Sequence, residues 1–328
     1  MDLILHIGVS KTGSTAIQRS LHANSGVIGD LYIPDNDDLP FVDKGHHKGV
    51  AYLANAKRLW GYKNGFLMLE YMFEECDPNL IEAVTQKNIS KYREQYIGAL
   101  KKLVEKAKNQ DCKTVLLSTE LLSEVYSPDD VAEFCKLLDP IFERKQIVIY
   151  LREQVSAYIS LYAQNLKGGA KFGFDEFVKI SGAKIAYDYD SLIKKWEVCG
   201  WEIVPSIFYE KHNAPSGWNI LDDFETLVIG RSSGLLRSAA GKTNNRHNVS
   251  PNADTLFLLR LFNRMGLAGK LIRLQQLALR CAKLCWSGND RFLKRHKREV
   301  EQIVMNHASG NTSIARQFFK REKLFQQH

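Results

Sequence analysis

The sequence has no uninterrupted apolar run long enough to cross a bilayer, which argues against a membrane-spanning helix. Its opening segment, MDLILHIG, carries an acid at Asp2 and too short an apolar run for a signal peptide. We expect this segment to form a buried first strand of a cytoplasmic protein.

Cysteines that would indicate a disulfide framework or a zinc site are also lacking. The six cysteines are scattered, with no C-x-x-C pair and no histidines at matching spacing. We therefore expect reduced thiols. We also expect no resident metal.

Acidic residues are scarce at the C-terminal end of the chain. The net charge is +8, and residues 260–328 carry 15 Lys/Arg against 4 Asp/Glu, so residues 1–259 are slightly acidic. The segment RFLKRHKRE, Arg291 to Glu299, follows a stretch with helical apolar spacing. It is either a solvated helical face or a surface attracted to an anionic membrane or an acidic acceptor. No nucleic-acid module accompanies the charge, so we expect no nucleic-acid partner.

The remaining pattern is one of strands that alternate with helices. The predicted strands are LILHIG, KTVLLS (113–118), QIVIYLR (146–152) and EIVPSIFY (202–209), separated by helical segments that include 14–25, 78–110 and 127–138. This order predicts an α/β fold with a mostly parallel, P-loop-type sheet and helices on both faces. We expect one domain over 1–328, with 255–328 as its basic helical extension. Ligands in such sheets bind beyond the carboxyl ends of the strands.

The segment HIGVSKTGSTAIQ, His6 to Gln18, looks like a phosphate-binding loop with a displaced lysine. Gly8 and Gly13 have the spacing of the glycines in G-x-x-x-x-G-K-[ST], but the lysine lies inside the loop, at position 11. Loop amides and the following helix N-terminus would form an anion cradle. Side-chain donors come from Lys11, Thr12, Ser14 and Thr15. The alternative is a tight turn between a strand and a helix.

A second patch begins with Arg152, which ends a predicted strand, and includes Ser160 eight residues later. With both patches present, the chain resembles the sulfotransferases that use 3′-phosphoadenosine 5′-phosphosulfate (PAPS), of the bacterial carbohydrate type. The resemblance implies that Lys11 to Thr15 hold the phosphosulfate, and that Arg152 and Ser160 hold the 3′-phosphate. It further implies cofactor-binding roles for a strand-end tyrosine and a late loop: Tyr209, Lys242 and Arg246.

Catalysis in this family needs a positive group that stabilises the charge developing on the bridging oxygen, and it needs a general base. Lys11 is the candidate for the positive group, because a sulfuryl group carries less charge than a triphosphate and its transfer would not require a metal. Glu120, just beyond a predicted strand, is the first candidate base, and Glu124 is a second choice. His46 and His47 are alternatives from the segment after the first helix, whereas His6 is expected to be a strand residue bonded near the loop.

The resemblance therefore implies an enzyme that transfers sulfate from PAPS to a hydroxyl of a glycan or glycolipid, such as a cell-envelope or exopolysaccharide glycan. Peripheral contact with the inner face of an anionic membrane is a further expectation. A P-loop kinase or NTPase is the rival enzyme. The third alternative is a non-catalytic nucleotide-binding protein that docks on a membrane or polyanion. The acceptor and the sulfated position stay open.

Overall fold

The structure is a computed structural model, and it describes residues 1–34, 38, 89–119, 121–124, 128–181, 187–209, 213–240, 253–266 and 290–325. The chain divides into two compact units. The sheet unit comprises Met1–Leu151 and Ser191–Asn244, and the helical unit comprises Arg152–Asp190 and Asn245–His328. The expectation that residues 1–328 form one domain with 255–328 as its extension stays a prediction.

The sheet unit is built on six strands in the order β2-β3-β4-β1-β5-β6. Their bounds are β1 Asp2–Ile7, β2 Gly26–Ile28, β3 Leu31–Ile33, β4 Thr114–Thr119, β5 Lys145–Arg152 and β6 Glu202–Phe208. β1 runs parallel to β4 and β5, and β3 runs parallel to β4, whereas β2 and β3 form an antiparallel hairpin. The carboxyl ends of β4, β1 and β5 therefore lie at one edge, where loops of parallel sheets carry ligand sites.

The central strands are apolar because both of their faces are covered. Consecutive residues, which point to opposite faces, are buried in β4 (Val115, Leu116 and Leu117) and in β5 (Ile147 to Leu151). Strands buried on both faces have continuous apolar runs rather than an alternating pattern. The predicted mostly parallel α/β sheet is confirmed, with one or both boundaries shifted by a residue in β1, β4, β5 and β6.

Helices of 6 to 20 residues follow the strands of the sheet unit. They are α1 Ser14–Ala23, α2 Ile89–Lys108, α3 Pro128–Leu138, α7 Ile220–Ile229 and α8 Leu235–Ala240. The start of α7 is set by Asn219, whose side-chain oxygen accepts a hydrogen bond from the Leu221 N–H at 2.9 Å. Its end is set by Gly230 in the left-handed conformation. Of the predicted helix 78–110, the described part is helical from residue 89.

The helical unit contains α4 Gln154–Lys167, α5 Phe174–Ser181, α9 Ala253–Arg264, α10 Asp290–Arg295 and α11 Lys297–Phe319; α6 Tyr189–Glu197 begins in it and continues into the sheet unit. α9 and α11 both pack on α4. Asn263 of α9 is fully buried and donates to the carbonyl oxygens of Leu166 and Ala170 at 2.7 and 2.8 Å. The Leu166 carbonyl belongs to the last turn of α4 and has no partner within that helix, and the Ala170 carbonyl lies in the segment that follows it.

The expectation of reduced thiols is wrong for two of the cysteines. Cys135 of α3 and Cys199, just before β6, form a disulfide across 64 positions of sequence. Packing of α3 against Trp196 and Trp201 brings them together, with Phe134 in contact with both rings. The cysteine spacing carries no trace of this pairing, because the two residues meet only through tertiary structure. Cys112 is a buried free thiol.

Candidate functional site

The candidate site of the sheet unit is the loop between β1 and α1. Two residues of this loop have a positive φ, 71° at Lys11 and 84° at Gly13. A positive φ is uncommon for a residue other than glycine and is concentrated at functional sites, where the surrounding structure compensates its cost. The loop therefore holds Lys11 in a conformation that an ordinary turn does not require.

The Thr12 and Ser14 hydroxyls are used inside the loop. The Thr12 hydroxyl donates to the Val9 carbonyl at 2.6 Å, and its N–H donates to the same oxygen at 3.3 Å. The Ser14 hydroxyl also points to that carbonyl, at 3.4 Å, and both side chains are buried. The Thr12 hydroxyl and N–H are thus both used inside the loop, whereas Ser14 can serve a ligand through its N–H in the first turn of α1. Lys11 and Thr15, which are half-buried, are the side chains with access to solvent.

Helix α1 presents its N-terminus at this loop. Gly13 precedes the helix, and among the described residues no side chain caps it. The first N–H groups of a helix have no partner within the helix, and they carry the positive end of its dipole. The arrangement can therefore bind an anionic group.

Two glycines of the loop are required by close packing. A Cβ at Gly13 would lie 3.2 Å from Phe208 and 3.3 Å from Ile220, on a backbone that already has a positive φ. A Cβ at Gly8 would overlap the Ser14 hydroxyl and lie 3.2 Å from the His6 ring. The spacing of the glycines thus reflects contacts as well as the predicted approach to a ligand.

An aromatic cluster lies at the end of β6, next to the loop. The rings of Phe208 and Tyr209 meet Trp218 edge-on, at 5.8 and 5.4 Å between centroids. Phe208 is also the residue against which Gly13 packs. The structure therefore brings the predicted residue Tyr209 into the same neighbourhood as the loop, and it adds Trp218. The sequence reasoning missed this tryptophan, since its only signal was an aromatic residue in a turn before α7.

Beneath the loop, His6 of β1 donates to or accepts from the Ser118 hydroxyl through Nδ1 at 2.7 Å. The two residues are register partners on neighbouring parallel strands. Burial lowers the pKa of His6 to about 3, because a charged ring would be desolvated there. His6 is therefore neutral at physiological pH. The prediction that His6 is a bonded strand residue is confirmed, and the expectation that the base is another residue stays a prediction.

A second polar network lies beside the His6–Ser118 pair. The Tyr150 hydroxyl donates to an Asp223 carboxylate oxygen at 2.7 Å, and the Ser206 hydroxyl donates to the same oxygen at 3.0 Å. Burial first, and then the Asp223 charge, raise the pKa of Tyr150 far above its ordinary value. Tyr150 and Phe224 of α7 also pack against the His6 ring. This network fixes α7 on β5 and β6, below the loop.

The candidate site of the helical unit begins at Arg152. Its guanidinium donates to the Ser156 hydroxyl at 3.0 Å, and its backbone is held from both sides by Tyr189, whose hydroxyl donates to the Arg152 carbonyl and accepts from its N–H. Arg152 and Ser160 are buried. Ser156 and Ser160 are four residues apart and thus share one face of α4. Arg152, at the end of β5, contacts this face through Ser156.

The N-terminus of α4 adds to this cluster. Glu153 caps the helix by accepting hydrogen bonds from the N–H groups of Val155 and Ser156 at 2.9 and 2.7 Å. The cap holds the first turn in place, and with it the Ser156 hydroxyl that contacts Arg152. A buried guanidinium and serine hydroxyls are donors that suit a phosphate. The sequence reasoning missed Ser156, although its position midway between Arg152 and Ser160 was a usable signal.

The other predicted site residues lie outside what the structure describes. These are Glu120, His46, His47, Lys242 and Arg246. For Glu124, the second choice of base, the structure describes the backbone, in a short 3-10 turn over Leu121–Glu124. In the described part of the chain, no group of three His, Cys, Asp or Glu side chains could hold a metal ion. No helix among the described residues has both the length and the apolar character needed to span a membrane.

Comparison with known proteins gives no match for this chain among family models, curated proteins or solved structures.

Proposed function

We propose that this protein is a PAPS-dependent sulfotransferase with a carbohydrate or glycolipid acceptor. The observation that carries the proposal is the position of the lysine in the loop after β1. Ser14, which stands where nucleotide-triphosphate loops have their lysine, is buried and directed at the Val9 carbonyl. The loop's only lysine is Lys11. The loop thus lacks the lysine that triphosphate loops place after the second glycine, and a phosphosulfate, whose sulfuryl group carries less charge, can be held by Lys11 and the loop amides.

In this proposal the loop amides and Lys11 act on the phosphosulfate. The acceptor oxygen forms a bond to sulfur while the bond from sulfur to the bridging oxygen breaks, and the acceptor proton passes to a general base. Lys11 balances the charge that develops on the bridging oxygen. Arg152, Ser156 and Ser160 are proposed to hold the 3′-phosphate, which is present throughout the reaction. Glu120 is the first candidate for the base, before His46 and His47.

Calorimetric titration with adenosine 3′,5′-bisphosphate tests the cofactor, with ATP and Mg²⁺ as the competing ligand. We expect the bisphosphate to bind more tightly, and Arg152→Ala to weaken it roughly 10-fold or more, since charge-assisted hydrogen bonds are lost. Arg19→Ala, which removes an exposed cation from α1, is the matched control and should bind normally. Preferential binding of ATP with Mg²⁺ would contradict the proposal and favour a kinase or NTPase.

Transfer itself is tested with labelled PAPS and fractionated cell-envelope glycans. Lys11→Ala should lower kcat more than it weakens donor binding, because its charge is needed mainly in the transition state. Glu120→Gln should lose about 10²-fold in kcat while it retains the donor. EDTA should leave the rate nearly unchanged. Tight bisphosphate binding without transfer to any acceptor would instead indicate a non-catalytic nucleotide-binding protein.

A further inference from the structure

Helix α9 of the helical unit has one buried face and one exposed apolar face. Leu256, Leu259 and Asn263 are buried against the rest of the unit. Phe257 and Leu261 of α9 and Met265, which directly follows α9 and donates its N–H to the Leu261 carbonyl, lie four positions apart and are 54, 42 and 61% exposed. A stripe with this spacing occupies a single side of a helix over about 12 Å. We refer to these three residues as the α9 stripe.

Basic side chains lie beside the α9 stripe. The guanidinium of Arg295, in the last turn of α10, is 5.9 Å from the centre of the Phe257 ring. Lys294, Arg295, Lys297 and Arg298 are all exposed, and they occupy four of five consecutive positions around the junction of α10 and α11. Through the contact of Arg295 with Phe257, basic side chains of the C-terminal region lie next to the exposed apolar side chains of the α9 stripe.

A surface that combines both properties has few suitable occupants. A stable interface between proteins buries about 800 Å² on each partner, which three side chains along 12 Å do not provide. A soluble polyanion would use the basic residues but would gain nothing from the exposed phenylalanine, leucine and methionine. An anionic bilayer uses both, because apolar side chains insert at the boundary of headgroups and acyl chains while Lys and Arg contact the lipid phosphates.

We propose that the α9 stripe and the basic residues 294–298 form a docking surface for an anionic membrane. Phe257, Leu261 and Met265 enter the interfacial layer, and the basic cluster contacts anionic headgroups. This goes beyond the proposed reaction and does not depend on it. If the reaction is as proposed, such docking would favour a lipid-linked acceptor.

Flotation with vesicles of phosphatidylcholine alone, or with 30% phosphatidylglycerol, tests this surface. We expect the full chain to bind the anionic vesicles and to be released by high salt. The double variant Arg295→Gln/Arg298→Gln should bind roughly 30-fold more weakly, since each basic residue near an anionic surface contributes to binding. Phe257→Ser/Leu261→Ser should also lose binding, at unchanged charge.

Met305→Ser is the matched control, because Met305 is 76% exposed on α11 of the same unit but lies outside the α9 stripe. It should bind like the wild type. Equal binding of the anionic vesicles by the wild type and the Phe257→Ser/Leu261→Ser variant would overturn the proposal, because the basic residues alone would then account for the binding. A wild-type dimer that this variant abolishes, without vesicle binding, would overturn it in favour of self-association.

A direct measurement covers the case in which a double variant does not fold. Phe257→Trp fluorescence should be quenched by brominated acyl chains in anionic vesicles, beyond the quenching of the unsubstituted protein's own tryptophans. Met305→Trp should show no such excess. The absence of extra quenching at position 257 under conditions where the protein floats with vesicles would contradict insertion of the α9 stripe.

Discussion

The buried pair beneath the loop, His6 and Ser118, predicts a specific dependence of stability on pH. The pKa of His6 is about 3 in the native state, against an ordinary value of 6.5. The unfolded state therefore binds a proton that the native state does not, over the whole range between these values. His6 favours the native state fully above about pH 6.5, and this contribution is lost as the pH falls toward 3.

The magnitude follows from the two pKa values. Between pH 8 and pH 5, protonation of His6 in the unfolded state should lower the free energy of unfolding by about 2 kcal/mol. His6→Asn removes the titrating group and retains a polar atom close to the Ser118 hydroxyl. Urea unfolding of both proteins should show that the stability advantage of the wild type shrinks by this amount from pH 8 to pH 5. Other histidines contribute equally to both proteins.

Ser118→Ala separates the hydrogen bond from the titration. It removes the partner of Nδ1 and should lower stability at every pH, by about 1–3 kcal/mol, because a buried nitrogen is left unpaired. His6 remains buried in this variant, so the pH dependence should persist. Carbon-detected NMR of the His6 ring gives a direct check. A midpoint near 6.5 in the folded protein would refute the reasoning.

Three further predictions concern a close contact in the loop, the disulfide and a buried hydrogen-bond donor. Gly8→Ala should disturb the loop and weaken anion binding, because its Cβ would overlap the Ser14 hydroxyl; titration with adenosine 3′,5′-bisphosphate would detect the loss. Cys135→Ser should lower the free energy of unfolding by about 4 kcal/mol, as expected for a crosslink that closes a loop of this length, and a reductant should then have no further effect on urea unfolding. Asn263→Ala should cost about 1–3 kcal/mol, since the Ala170 carbonyl loses its Asn263 donor while the Leu166 carbonyl keeps only the Gly169 N–H, and thermal unfolding would measure it.

The sequence pattern over short stretches of the chain was sufficient to predict the elements around the loop. The apolar run of β1, the two glycines and the helix after Gly13 are consecutive in the chain, and their spacing alone predicts a strand, a tight loop and a helix. The same holds for Arg152 and Ser160, because a strand end followed by a helical period determines which residues share a face. The short hairpin of β2 and β3 was missed, since three-residue strands carry too little pattern.

Contacts between distant segments were decided by the tertiary structure. His6 and Ser118 meet because the parallel register of β1 and β4 pairs residues 112 positions apart. The disulfide of Cys135 and Cys199 has the same kind of origin. In α9 the sequence predicts a helix, but its many apolar residues do not reveal which of them stay exposed. Helical and strand periods depend on residues that are close in the chain, so the loop of the site could be predicted from the sequence. Burial depends on which other elements pack against each face, so the residues around the loop could not be predicted in this way.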